Sequence, residues 1–164
     1  MAEGASAGAD VLRFLGQAAT VILGWVVVHR LSMHRERDKS RREMVSKSID
    51  GMAESIDKVL VDGRKYHLQD RDHELELRIK MVFQDLALRL SGLSDLQCTH
   101  AQIAPTRTAL VRFKRSMTEK HFEDEHEGKL EPGAEQIELI AAEALRTKQL
   151  LLSIKHSLYT MPTK

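Results

Sequence analysis

Residues 11–28, VLRFLGQAATVILGWVVV, constrain this chain more than any other stretch, because they carry a single charged side chain, Arg13. As an α-helix at 1.5 Å per residue the run reaches about 27 Å, close to the hydrocarbon thickness of a bilayer. Its flanks are unequal. Residues 1–10 hold two charged side chains, Glu3 and Asp10. Residues 29–42 hold six bases, Arg30, Arg35, Arg37, Lys39, Arg41 and Arg42, against Glu36 and Asp38, a net of +4. A cleaved signal peptide carries its positive charge before the apolar run, and a transit peptide is Arg-rich and amphipathic from its start. Neither order fits. A helix apolar on every face is also rare inside so small a soluble domain. The expectation is a transmembrane helix over residues 11–31, preceded by a short extracytoplasmic N-terminus over 1–10. The bases on its C-terminal side place the rest of the chain in the cytoplasm. In a bacterium that means the inner membrane. Arg13 can snorkel to one headgroup layer, and Trp25 suits the opposite interface.

Gly16, Thr20 and Gly24 recur at i, i+4 and i+8, a ridge of small residues that lets two membrane helices approach closely. Self-association through this ridge is expected. The six bases are expected to face anionic lipid headgroups, each contributing about 1 kcal/mol near the surface. They lack interleaved aromatics, so direct nucleic-acid binding is disfavoured.

Beyond the basic run the chain reads as all-α. Hydrophobic residues at 42% and charged residues at 30% support a real core, while 4% aromatics and few Gly and Pro favour helix over sheet. Residues 32–62 read as a basic juxtamembrane helix. Its heptad seam is Val45, Ile49, Met52, Ile56 and Val59, and Asp62-Gly63 gives a stop signal. Residues 63–164 read as a cytoplasmic helical domain. A helix over 67–90 carries the stripe Leu75, Ile79, Val82, Phe83, Leu86 and Leu90. A loop over 95–105 follows, with Thr106 placed to cap a third helix that buries Leu110, Phe113 and Met117. Pro132-Gly133 breaks the chain before a fourth helix over 134–158. The expected architecture is one membrane-rooted helix packed with three others in a bundle.

No motif assigns a chemistry. Cys98 and His100 form a thiol–imidazole pair in sequence, but nucleophilic catalysis needs a third orienting group. His121 and His126 are five apart, on different faces of any helix, which disfavours a metal site. No phosphate-cradling glycine loop, nucleophile elbow or paired CxxC occurs. The reading is therefore a non-enzyme, with no catalytic residue, metal or cofactor. The most uneven charge lies over residues 119–143. Nine acids there, including Glu123, Asp124, Glu125 and Glu127, face two bases, a net of −7. Those four carboxylates are candidates for docking a basic surface on a cytosolic protein partner or on the chain's own basic helix.

The run HRLSMHRERDKSRRE after an apolar helix, with RIKMVFQDLAL at residues 78–88, resembles small single-pass bacterial inner-membrane proteins. The layout over residues 10–92 also resembles that of membrane effectors of bacterial anti-phage systems, including retron-associated ones. The resemblance implies a protein held inactive by partners that perturbs the inner membrane when released, and it transfers no functional residue. The expected function is an oligomerising, membrane-anchored interaction or effector protein. A passive membrane tether or scaffold subunit is the alternative.

Overall fold

A computed structural model of the chain describes residues 4–96, 98–118, 122–123 and 129–160, with side chains from Ile22 onward in the first helix. The described residues form four helices and no strand: α1 (Gly4–Leu68), α2 (His73–Gly92), α3 (His100–Thr118) and α4 (Glu135–Thr160). The chain divides into two compact units between Arg42 and Glu43.

The unit from Glu43 onward is a helical bundle. All five seam residues of α1 are at most 1% exposed, and they share one core with Ile79, Phe83 and Leu86 of α2, Phe113 and Met117 of α3, and Ile140 and Leu151 of α4. The seam is thus spent inside its own bundle. Polar contacts set the directions. Lys148 and Lys155 of α4 pair with Asp57 and Asp50 of α1, so seven residues up one helix match seven down the other. Arg78 of α2 reaches Asp62 of α1, and Arg89 lies beside Gly51. Both helices therefore run antiparallel to this part of α1. Gln102 and Gln136 tie α3 and α4 antiparallel through Ser157 and the Ser116 carbonyl. An up-down-up-down bundle follows, as short connections favour.

Three local expectations change. The first helix does not stop at Asp62-Gly63 but continues to Leu68. Gly63 is buried, and a Cβ there would collide with the Met117 side chain. This glycine serves a close approach of α1 and α3, at a cost of about 1 kcal/mol in helix propensity. The second helix starts at His73 and not at residue 67, because the Asp72 carboxylate accepts hydrogen bonds from the Glu74 and Leu75 N–H groups at 2.9 and 3.2 Å. The third helix starts at His100, with Pro105 and Thr106 inside it. Its start is fixed by Gln102, whose Oε1 accepts from the Thr99 N–H at 2.8 Å and the Thr99 hydroxyl at 3.0 Å. Thr99-x-x-Gln102 matches a capping-box spacing. Thr106 is buried, lining a small void with Met52, Ile56, Leu86 and Thr147, and caps nothing.

Candidate functional site

Two sets of residues are candidates for function, one in each unit. The first lies in α1 before Glu43. Ile22, Leu23, Trp25, Val27, Val28 and Leu31 are all more than half exposed, so none of the described residues covers them. Contiguous apolar exposure on this scale marks a surface that something else covers. Trp25 stacks on His29, ring centroids 5.1 Å apart and planes nearly parallel, as i and i+4 positions permit. Of the six bases, Arg30, Arg35, Arg37 and Lys39 are exposed, whereas Arg41 and Arg42 are half-buried. Lys39 and Arg41 also interact with other groups of the chain. Arg30, Arg35 and Arg37 are thus the bases best placed for an outside anion. The side chains of Gly16 and Thr20 lie outside the described residues. Gly24 is described, and a Cβ there would meet nothing within 4 Å.

Among the described residues no helix is long and apolar enough to cross a membrane. Residues 11–21 of the apolar run are described as helical backbone only.

The second set closes one end of the bundle, where α1 hands over to α2. Glu76 lies in the first turn of α2 with its side chain 3% exposed. A carboxylate so placed needs cationic and hydrogen-bonding partners. Its Oε1 accepts from Tyr66 Oη at 2.8 Å and from Arg71 Nε at 2.7 Å, while His73 Nδ1 lies 3.1 Å from Oε2. Burial alone would raise its pKa, but the hydrogen bonds and charge of Arg71 and the Tyr66 hydroxyl outweigh this and hold it below the ordinary carboxylate value. Burial raises the Tyr66 pKa, against the hydrogen bond its oxygen accepts from the Glu123 N–H.

The loop after α3 packs onto this cluster. Phe122 lies 5.0 Å from the Tyr66 ring, Glu123 pairs with Lys80, and Lys80 sits 5.8 Å from the Phe122 ring centroid. Farther on, the Leu130 N–H donates to the His67 carbonyl at 2.9 Å, satisfying one terminal acceptor of α1, and Lys129 pairs with Asp70. His67 is buried with Nε2 3.0 Å from the Met117 carbonyl, which can only accept, so Nε2 carries the proton. The cluster ties α1, α2 and the α3–α4 loop into one corner.

This corner changes the standing of the acidic tract. Glu123, expected to be free for docking, holds a positive φ of 67° and spends its carboxylate on Lys80. Asp124, Glu125 and Glu127 lie outside the described residues, as do His121 and His126. Cys98 is buried, with its N–H donating to the Leu93 carbonyl, while His100 is exposed at the start of α3. Among the described residues no three metal-ligating side chains cluster.

Sequence reading missed the Glu76 cluster because Glu76 sits one residue past Leu75 in a stretch of alternating charge, where a solvated face is the ordinary reading. It also missed a groove between α3 and α4 of about 480 Å³, lined by Pro105, Thr108, Arg112, Arg146 and Gln149. No carboxylate among the described residues pairs with Arg112 or Arg146. Two guanidinium groups in one groove suit an acidic ligand group.

No family model, curated protein or solved structure matches the chain.

Proposed function

We propose that this chain is a single-pass, membrane-anchored helical effector. Residues 11–31 hold it in a bacterial inner membrane with the N-terminus outside, and Arg30, Arg35 and Arg37 contact anionic headgroups. The bundle engages a cytosolic protein partner, and copies of the chain associate with one another. The observation that carries this reading is the exposed apolar stretch from Ile22 to Val28, followed at once by His29 and Arg30 and then by Arg35 and Arg37. Isolated exposed apolar residues are ordinary, but a run exposed on all sides of one helix is costly in water and favourable in lipid. The Arg112–Arg146 groove supports partner binding, since it offers cations that the described residues leave unpaired. The resemblance to membrane effectors of anti-phage systems supports release from a partner as the trigger.

The test is production of the full chain in a bacterium, with membranes pelleted by ultracentrifugation without detergent. An anchored chain pellets and resists alkaline wash, and a chain left in the supernatant refutes the anchor. A potential-sensitive dye reads the effector role. Depolarisation on production without partners, relieved by Gly16→Leu or Gly24→Leu, is the expected result. A pelleted chain that leaves the potential unchanged would instead be a passive tether.

A further inference from the structure

The face of α2 turned away from the core carries a second heptad pattern. Leu75, Ile79, Phe83, Leu86 and Leu90 are buried, yet Leu77, Met81 and Leu88 are 59%, 60% and 71% exposed, with Gln84 exposed among them. Residues 77, 81, 84 and 88 are spaced by four, three and four, the alternation of a coiled-coil seam. At 100° per residue this stripe lies on the far side of the helix from the buried one. α2 is therefore apolar on two opposite faces, and the bundle uses only one of them.

The charges beside the stripe suggest its occupant. With Met81 and Leu88 at a, and Leu77 and Gln84 at d, Lys80 falls at g and Asp85 at e. In a parallel two-stranded pairing, g of one helix faces e of its partner five residues on, which sets Lys80 of one copy beside Asp85 of the other, twice by symmetry. Both side chains are nearly half exposed, at 43% and 46%, although each has a partner within its own chain, Glu123 and Arg89. Gln84 at d would pair with itself, and a polar layer of this kind fixes register at some cost in stability.

We infer that the outer face of α2, built on Leu77, Met81, Gln84 and Leu88, is a parallel homodimer seam between two copies of this chain. The parallel direction rests on the proposed membrane anchor, because copies held in one membrane with the same orientation present α2 in the same direction. An antiparallel pairing would instead set Leu77 opposite Leu88 and Arg78 near Asp85.

The test uses the full chain with Cys98→Ser, which removes its one cysteine. Leu77→Cys, Leu88→Cys and, as a control on an exposed site of α3, Val111→Cys are each produced alone and oxidised mildly. The Leu77→Cys and Leu88→Cys chains should each form a disulfide-linked dimer with themselves, well above Val111→Cys. Equal crosslinking at all three positions, or none, overturns the seam. Crosslinking only when Leu77→Cys and Leu88→Cys chains are mixed overturns the parallel direction. Charge reversal gives an independent arm. Lys80→Asp or Asp85→Lys should each lower dimer yield about fivefold, and the double variant should restore it. The double variant does not repair the intrachain Lys80–Glu123 pair, so rescue reports the intermolecular contact, and failure of rescue refutes the charge register. Scoring membrane pellet and supernatant separately distinguishes this inference from the anchor. Dimers formed in the supernatant would keep the seam while the anchor fails.

Discussion

Residues 22–31 and 45–59 belong to the same helix, are both rich in branched aliphatic side chains, and meet opposite fates. Val27 and Val28 are 55% and 66% exposed, whereas Val45 and Val59 are fully buried. The difference lies in the pattern. In 45–59 the apolar residues return every three or four positions and make one stripe, which a bundle can cover from one side. In 22–28 they occupy every face, and no packing from one side covers them. Helix formation is thus common to both regions, while period decides whether the surroundings are protein or something outside the chain.

The largest expected effect tests the bundle half of that contrast. Phe113→Ala removes a fully buried ring that packs 5.1 Å from Phe83. It should cost about 3–5 kcal/mol in a urea or thermal melt followed by circular dichroism. Val27→Asp should change the same melt by less than about 0.5 kcal/mol, yet shift the chain from pellet to supernatant. Equal effects of the two variants on unfolding would abolish the distinction between the regions.

Next comes the cluster around Glu76. Glu76→Gln removes a buried charge held by Arg71 and Tyr66 and should cost roughly 2 kcal/mol at neutral pH. Because the folded pKa is lowered, the stabilisation is present above the ordinary carboxylate value and is lost as pH falls through the folded pKa. The wild-type chain should therefore lose stability on acidification more steeply than the Gln variant, as parallel melts across the acid range would show.

Among substitutions inside the bundle, Gly63→Ala has the smallest expected effect, a net loss of roughly 1 kcal/mol. The gain in helix propensity offsets part of the collision with Met117. Adding Met117→Ala to both backgrounds should reverse the sign of the Gly63→Ala effect. A variant that destabilises equally with and without Met117 would show that the glycine is not there for that contact.

Much of the helical layout was legible because it rests on local rules. The stripe of α1 gave five buried positions, that of α2 gave Leu75, Ile79, Phe83, Leu86 and Leu90 as buried with Val82 only half-buried at the edge of the core, and Pro132-Gly133 marked the start of α4 to within one residue. Boundaries that depend on one side chain were misread. Asp62-Gly63 has the composition of a stop, but Gly63 lies in a helix crossing, which local sequence does not encode. The Thr99–Gln102 cap was readable from its spacing, and Thr106 competed with it only as an isolated residue. The Glu76 cluster was not readable, because its partners come from residues 66, 71 and 123, and only the fold brings them together.

By itself, then, the sequence determined that the chain is helical, which helix faces are apolar, and that residues 11–31 differ from everything after them. These follow from the 3.6-residue period and the order of charges, which act over a few turns. Tertiary structure alone decided that the α1 seam is buried within its own bundle, that Glu123 is tied to Lys80, and that α2 keeps a second apolar face uncovered. Each depends on which helix lies beside which, a matter of packing between residues tens of positions apart.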